Sequence, residues 1–154
     1  MNVRCIAPEE LSQLLELYHH LHSDEWLEDG PDARRIWEAI QREPGYHIIV
    51  AQEQGRLVSS CTLLLIPNLT HSGRPYGLIE NVVTHPDYRG RGMATACLEF
   101  AKELAQKENC YKLMLMTGRK QESTLNFYRR AGFRSDEKTA FVQWLEPHTL
   151  EPHA

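Results

Sequence analysis

The sequence predicts an α/β sandwich, a central sheet covered by helices, on three observations. Short apolar runs of strand character alternate with amphipathic segments of helical spacing along the chain. One strand-like run, with Leu78, Ile79, Val82 and Val83, passes through a Pro86-Asp87 turn and two glycines, Gly90 and Gly92, straight into a helix. The length, 154 residues with 42% hydrophobic and 25% charged, suits one domain with a real core.

The elements follow in order. Residues 2–6 read as a first strand. Pro8 and Glu9 open a helix whose apolar positions Leu11, Leu14, Leu15, Tyr18 and Leu21 keep helical spacing. A polar stretch with Asp24, Glu25, Glu28 and Asp29 and the Gly30-Pro31 break separate it from a second helix over 33–40. Residues 46–51 and 57–66 read as a strand pair joined at Gln54-Gly55, and residues 67–75 as a loop. The strand over 78–84 precedes the glycine turn. Met93, Cys97, Leu98, Ala101, Leu104 and Ala105 then make one face of a helix, with Glu99, Lys102 and Glu103 on the other. A short strand over 111–116, a helix over 123–130 ending at Gly132, and two closing strands over 133–135 and 140–145 complete the pattern. This gives one domain over 1–146 and a flexible tail over 147–154.

Composition excludes several classes. No apolar run is long enough to cross a bilayer, and no signal peptide is expected. The four cysteines, Cys5, Cys61, Cys97 and Cys110, have no paired spacing, and Cys61 and Cys97 sit among apolar residues. A reducing, cytoplasmic setting is the reading. A net charge of −4 argues against nucleic acid, whose phosphates demand a basic face. His19, His20 and His22 do not amount to a metal site without further ligands, and His71 and His85 read as surface residues.

The glycine turn carries the chemistry. A strand that delivers glycines to a helix start aims unpaired backbone N–H groups, and the positive end of the helix dipole, at one point. Such a terminus binds phosphate, and glycine lets the anion reach the backbone. A Walker A loop does not fit the spacing. A dinucleotide fingerprint would need Gly or Ala where Thr95 stands. What fits is Arg/Gln-x-x-Gly-x-Gly/Ala, at Arg89, Gly92 and Ala94. Downstream, the segment from Asn126 through Phe127-Tyr128 to Gly132-Phe133 has the form Phe-Tyr-x-x-x-Gly-Phe. With these two motifs in this order, the C-terminal half of the chain resembles the GNAT superfamily of acyl-CoA-dependent N-acetyltransferases.

The resemblance implies a mixed, mostly antiparallel sheet of six to seven strands with helices on both faces, splayed between the strand ending at Thr84 and the one starting near Tyr111. It implies acetyl-CoA as donor, with Val82, Val83 and Thr84 hydrogen-bonding the pantetheine arm. The N–H groups of Arg89, Gly90, Arg91, Gly92, Met93, Ala94 and Thr95 would take the pyrophosphate. Tyr128 takes the family's general-acid position, and a phenol of reference pKa about 10 can donate to a departing thiolate. Glu80 interrupts an apolar strand, where a carboxylate is costly unless paired or used. It is the candidate base, although strand alternation can equally turn it to an exposed face. Where the family has an Asn seven residues before the Tyr, this chain has Gln121. Gln121 and the nearby Asn126 are the candidate contacts to the cofactor arm.

The acceptor is open at this stage. Asp24, Glu25, Trp26, Glu28 and Asp29 would form an acidic, aromatic wall that favours a cationic amine, or simply a solvated loop. Arg119 and Lys120, and a likeness of residues 79–91 to glucosamine-phosphate acetyltransferases, point instead to a phosphorylated acceptor. A small-molecule amine is the leading acceptor. A protein N-terminus or lysine, and a non-catalytic acyl-CoA sensor, are the alternatives. Fold analogy makes a homodimer plausible.

Overall fold

The computed structural model describes residues 1–21 and 25–147. The chain divides into two compact units, Met1–Leu115 and a second from Met116 onward. His22, Asp24 and most of the expected tail lie outside the described residues.

The first unit holds a five-stranded sheet in chain order. β1 (Asn2–Cys5), β2 (Tyr46–Glu53), β3 (Arg56–Ile66) and β4 (Tyr76–Thr84) pair antiparallel, and β5 (Leu113–Leu115) joins β4 in parallel. The β2–β3 turn is the one the Gln54-Gly55 pair signals: both residues have positive φ, 50° and 77°, as the twist of a two-residue hairpin requires.

Pro8–Glu10 forms a 3-10 turn rather than the first turn of a helix, and α1 spans Leu11–Tyr18. The Glu10 carboxylate explains the start. It accepts the Ala7 N–H at 2.8 Å and a two-pronged contact from the Arg4 guanidinium at 2.7 and 2.8 Å, so a half-hidden acid is fully occupied. Beyond Tyr18 the chain tightens into turn bonds from His19, His20 and Leu21 to carbonyls three residues back. α2 spans Pro31–Arg42, with proline at its first turn, and α3 spans Met93–Lys107.

Register decides which side chains share a face. Ile48, Thr62 and Glu80 stand opposite one another across β2, β3 and β4. Ile48 belongs to the cluster made with Leu11 and Leu14 of α1 and Ala33 and Trp37 of α2, so this row faces α1 and α2. The alternate row, with Cys61 and Leu63, faces α3, where the Cys61 thiol lies 3.7 Å from the Cys97 carbonyl. Ile49, Val50, Leu63 and Ile79 are 0 to 1% exposed, and each such side chain contributes about 1.5–3 kcal/mol. Cys61 and Cys97 are buried free thiols, whereas Cys5 is exposed. Burial raises both buried thiols, Cys97 to about 11.

The second unit holds α4 (Glu122–Arg130). Its end is a Schellman motif: Phe133 N–H reaches Tyr128 C=O at 3.1 Å and Gly132 N–H reaches Arg129 C=O at 3.0 Å, with Gly132 at φ 97°.

Five strands form among the described residues, not six to seven. The segment 133–135 is not a strand, because Phe133 is drawn into the helix cap. The segment 140–145, apolar but for Gln143, is not a strand either. Phe141 and Leu145 are 90% and 93% exposed, so these two side chains do not gain the burial that helps to hold a strand. Among the described residues no helix is long and apolar enough to cross a membrane.

Candidate active site

The turn between β4 and α3 is built from backbone. Pro86–Tyr88 makes a 3-10 turn whose start is fixed by His85, its Nδ1 accepting the Asp87 N–H at 3.2 Å. Gly90 and Gly92 follow with φ of 72° and 80°. A Cβ at either would meet nothing within 4 Å, so glycine is needed here for its left-handed backbone rather than for space. The first bond in α3 runs from Ala96 N–H to Gly92 C=O at 3.0 Å, and no side chain caps the helix. The N–H groups of Met93, Ala94 and Thr95 come before that bond, and Met93 anchors the turn with a side chain only 5% exposed.

Both arginines of the motif are engaged inside the protein. Arg89 Nε donates to Thr84 C=O at 3.3 Å. Arg91 reaches Glu53 at 3.3 Å and lies 4.9 Å above the Tyr88 ring. The turn therefore offers an anion its main-chain N–H groups, with the exposed Arg89 guanidinium beside them.

Among the described residues, no strand pairs with the β5 side of β4 beyond Ile79, beside that turn. The β4–β5 pairing covers Gly77↔Leu113 to Ile79↔Leu115 and stops, while β4 continues through Val82 and Val83 to Thr84. On its other side Ser60↔Val83 and Ser59↔Thr84 hold it to β3. Between Ser60↔Val83 and Thr62↔Glu80, Asn81 and Val82 stand opposite Cys61 alone, which is a β-bulge, and Asn81 takes the left-handed φ of 52°.

The bulge gathers polar groups on the α1–α2 side. Glu80 pairs with Thr62 on that face and is half-buried, not turned to solvent. The Tyr18 phenol approaches the Thr62 hydroxyl and the Asn81 amide, and burial pushes it up to about 12. The buried Thr62 Oγ1 nevertheless lacks a full hydrogen bond. Tyr46 is also raised, first by burial and then by the nearby Glu80 charge. Tyr18, Tyr46 and Asn81 border a cavity of about 270 Å³ lined by α1, α2 and by Glu25, Trp26 and Leu27.

Residues 25–29 only partly match an acidic wall. Glu25 and Trp26 line the cavity. Glu28 lies 4.0 Å from His19. Asp29 is clamped by Arg34 at 2.7 and 2.9 Å and by the Ser12 hydroxyl, and the Arg34 hydrogen bond draws its pKa down. Asp29 thus fastens α1 to α2. His20 and His85 meet edge to face with ring centroids 4.7 Å apart.

In the second unit, Gln121 occupies the N-cap of α4, its carbonyl accepting the N–H groups of Thr124 and Leu125, both at 3.1 Å. Asn126 Oδ1 accepts from Arg129 at 3.1 Å, and the same nitrogen holds Glu122 at 2.8 Å. Tyr128 sits between Phe127 and Phe133, with centroids at 5.0 and 6.4 Å. The Arg119 N–H donates to the Thr117 hydroxyl.

Residues 11–133 match the Acetyltransferase (GNAT) family. The chain belongs to this family. It is an N-acetyltransferase, similar to a glucosamine 6-phosphate N-acetyltransferase of Trypanosoma brucei brucei at 34% identity over 140 residues, 90% of this chain and 92% of that protein. Among solved structures it resembles a candidate acetyltransferase from Agrobacterium tumefaciens str. C58, at 39% identity and TM-score 0.86, covering 94% of this chain and all of that one. It shares its fold with the glucosamine-6-phosphate N-acetyltransferase of Arabidopsis thaliana, at TM-score 0.79 and 19% identity, over 94% and 98% of the two chains.

Within this GNAT chain, sequence reasoning missed the bulge and the polar cluster around it. Two signals were present: an Asn following Glu80 inside an apolar strand, and Thr62 inside the otherwise apolar end of β3. Neither fixes a register shift without its partner strand.

Proposed function

We propose that the protein moves the acetyl group of acetyl-CoA to the primary amine of a small molecule. The observation that carries this reading is a single strand, β4, that bears a half-buried carboxylate at Glu80, an edge at Val82–Val83–Thr84 that no described strand pairs with on the β5 side, and an uncapped helix start just beyond. The residues present suit the donor: left-handed glycines and unsatisfied N–H groups for a pyrophosphate, and that strand edge for an amide-bearing arm.

Acetyl-CoA, when bound, supplies an activated thioester carbonyl. Gly90 to Thr95 hold its anionic end through the main chain, and the β4 edge aligns the arm. Glu80 accepts the proton that the amine must lose to attack. By the family resemblance Tyr128 holds the general-acid position, from which its phenol would supply the proton that the departing thiolate needs. Gln121 and Asn126, the latter held by Arg129, are the candidate contacts to the cofactor arm. The cavity's volume of about 270 Å³ favours a small acceptor over a protein chain end. Free thiols suit a cytoplasmic enzyme, and a homodimer is the proposed assembly.

The test is thermal unfolding with and without acetyl-CoA, with NADH and ATP as controls. At one hundred times Kd the donor should add about 2.7 kcal/mol, or roughly 5 to 10 °C. No shift at millimolar acetyl-CoA would overturn the reading.

A further inference from the structure

The cavity under α1 and α2 states what kind of acceptor it suits. Its walls are Leu14, Leu15, Trp37 and Ile40, and Trp26 and Ile36 stand at its rim. Trp26 and Ile36 are 50% and 42% exposed, so the cavity opens to solvent through an apolar rim. The polar lining is confined to Tyr18, Tyr46, Asn81 and Glu25. Two of these, Tyr18 and Asn81, meet at the β4 bulge, next to Glu80. Among the described residues no lysine or arginine lines the cavity.

A sugar phosphate placed here would bury a dianion against leucines and tryptophans with no cation to meet it, which is prohibitively costly. A protonated amine has the opposite fit. Its hydrocarbon body removes apolar surface from water, and its nitrogen ends among carboxylate, phenol and amide oxygens.

We propose that this cavity takes the apolar body of the acceptor, and that the preferred acceptors are arylalkyl primary amines rather than phosphorylated amino sugars. The proposal rests on the acetyltransferase reading above and narrows it. Trp26 and Trp37 act as the contact surface for the aryl group, and the bulge at Asn81 sets the depth at which the amine stops beside Glu80.

The test uses the full chain. Tryptophan emission is followed while 2-phenylethylamine and, separately, glucosamine 6-phosphate are added, with and without coenzyme A. Loss of the acetyl-CoA thioester absorbance gives kcat/KM for both amines. The expected result is saturable emission change with 2-phenylethylamine at a Kd at least ten-fold below that of glucosamine 6-phosphate, and the same order in kcat/KM. Trp26→Ala, at a half-exposed position whose ring lies 4.9 Å from that of His19, should raise KM for 2-phenylethylamine about ten-fold with the acetyl-CoA melting shift retained. Tighter binding or faster acetylation of glucosamine 6-phosphate overturns the proposal, as does an unchanged KM in Trp26→Ala. Emission that stays flat with 2-phenylethylamine overturns it too. Because the emission titration also runs without any donor, it decides the cavity separately from the acetyl-CoA melting shift that decides the parent reading.

Discussion

Gly92→Ala isolates the backbone requirement of the cofactor turn. Gly92 has φ 80° and ψ 9° and directly precedes α3. An L-residue in that conformation costs about 1–2 kcal/mol. The added methyl meets no atom within 4 Å, so no clash adds to this cost. Alanine also restricts the unfolded chain, returning about 0.4–1 kcal/mol. The net loss is about 1 kcal/mol, or roughly 2–4 °C in Tm for a chain of this size. Gly92→Asn supplies the comparison, because asparagine tolerates the left-handed region, and it should lose less than half as much. Thermal scans of the three proteins measure this, and titration with acetyl-CoA shows whether alanine also weakens the donor. Equal melting of wild type and Gly92→Ala, or equal losses for Ala and Asn, would refute the argument that conformation alone demands glycine there.

Other outcomes follow from the same geometry. Tyr128→Phe should lower kcat by about a hundred-fold or more while the acetyl-CoA Kd stays the same; unchanged turnover would remove the phenol from the chemistry. Glu80→Gln should lower kcat/KM about a hundred-fold or more, since an amide cannot accept the proton of the attacking amine; unchanged kcat/KM would assign the base elsewhere. Glu10, held by Arg4 and then by the Ala7 N–H, has its pKa drawn below the ordinary 4.5. Its stabilisation is therefore complete above about pH 4.5 and is lost as pH falls through the lower folded value. Glu10→Gln should melt lower at neutral pH and show a shallower acid loss in that window, read by urea unfolding at pH 7 and pH 3.

Much of the first unit was legible because it is written in local signals. The Gln54-Gly55 pair, the proline at the start of α2 and the two glycines before α3 each fix a backbone angle, so turn and register follow. The Phe-Tyr-x-x-x-Gly-Phe segment was legible for a reason deeper than resemblance. Its glycine is the left-handed residue of a Schellman cap, and its last Phe is the residue whose N–H closes that cap on Tyr128. What stayed hidden is what depends on partners distant in sequence. The segment 140–145 is apolar enough for a strand, but composition does not name the strand it would pair with. The bulge at Asn81 exists only relative to Cys61 on β3. Asp29 reads in sequence as one more acid of a pocket wall, yet Arg34 and Ser12 make it a clamp.

The distribution of the thiols has a practical side for anyone measuring turnover. Coenzyme A release is commonly followed with an aromatic disulfide that reports any accessible sulfhydryl. Cys61 and Cys97, sealed between β3 and α3 with their ionisation suppressed, are silent to such a reagent while the protein is folded. Cys5, exposed at the sheet edge, is not. At high enzyme concentration the colour of a slow reaction would include the protein's own cysteine, and an unfolding sample would release more. The same reagent, used without any substrate, thereby becomes a gauge of how much of the preparation is intact.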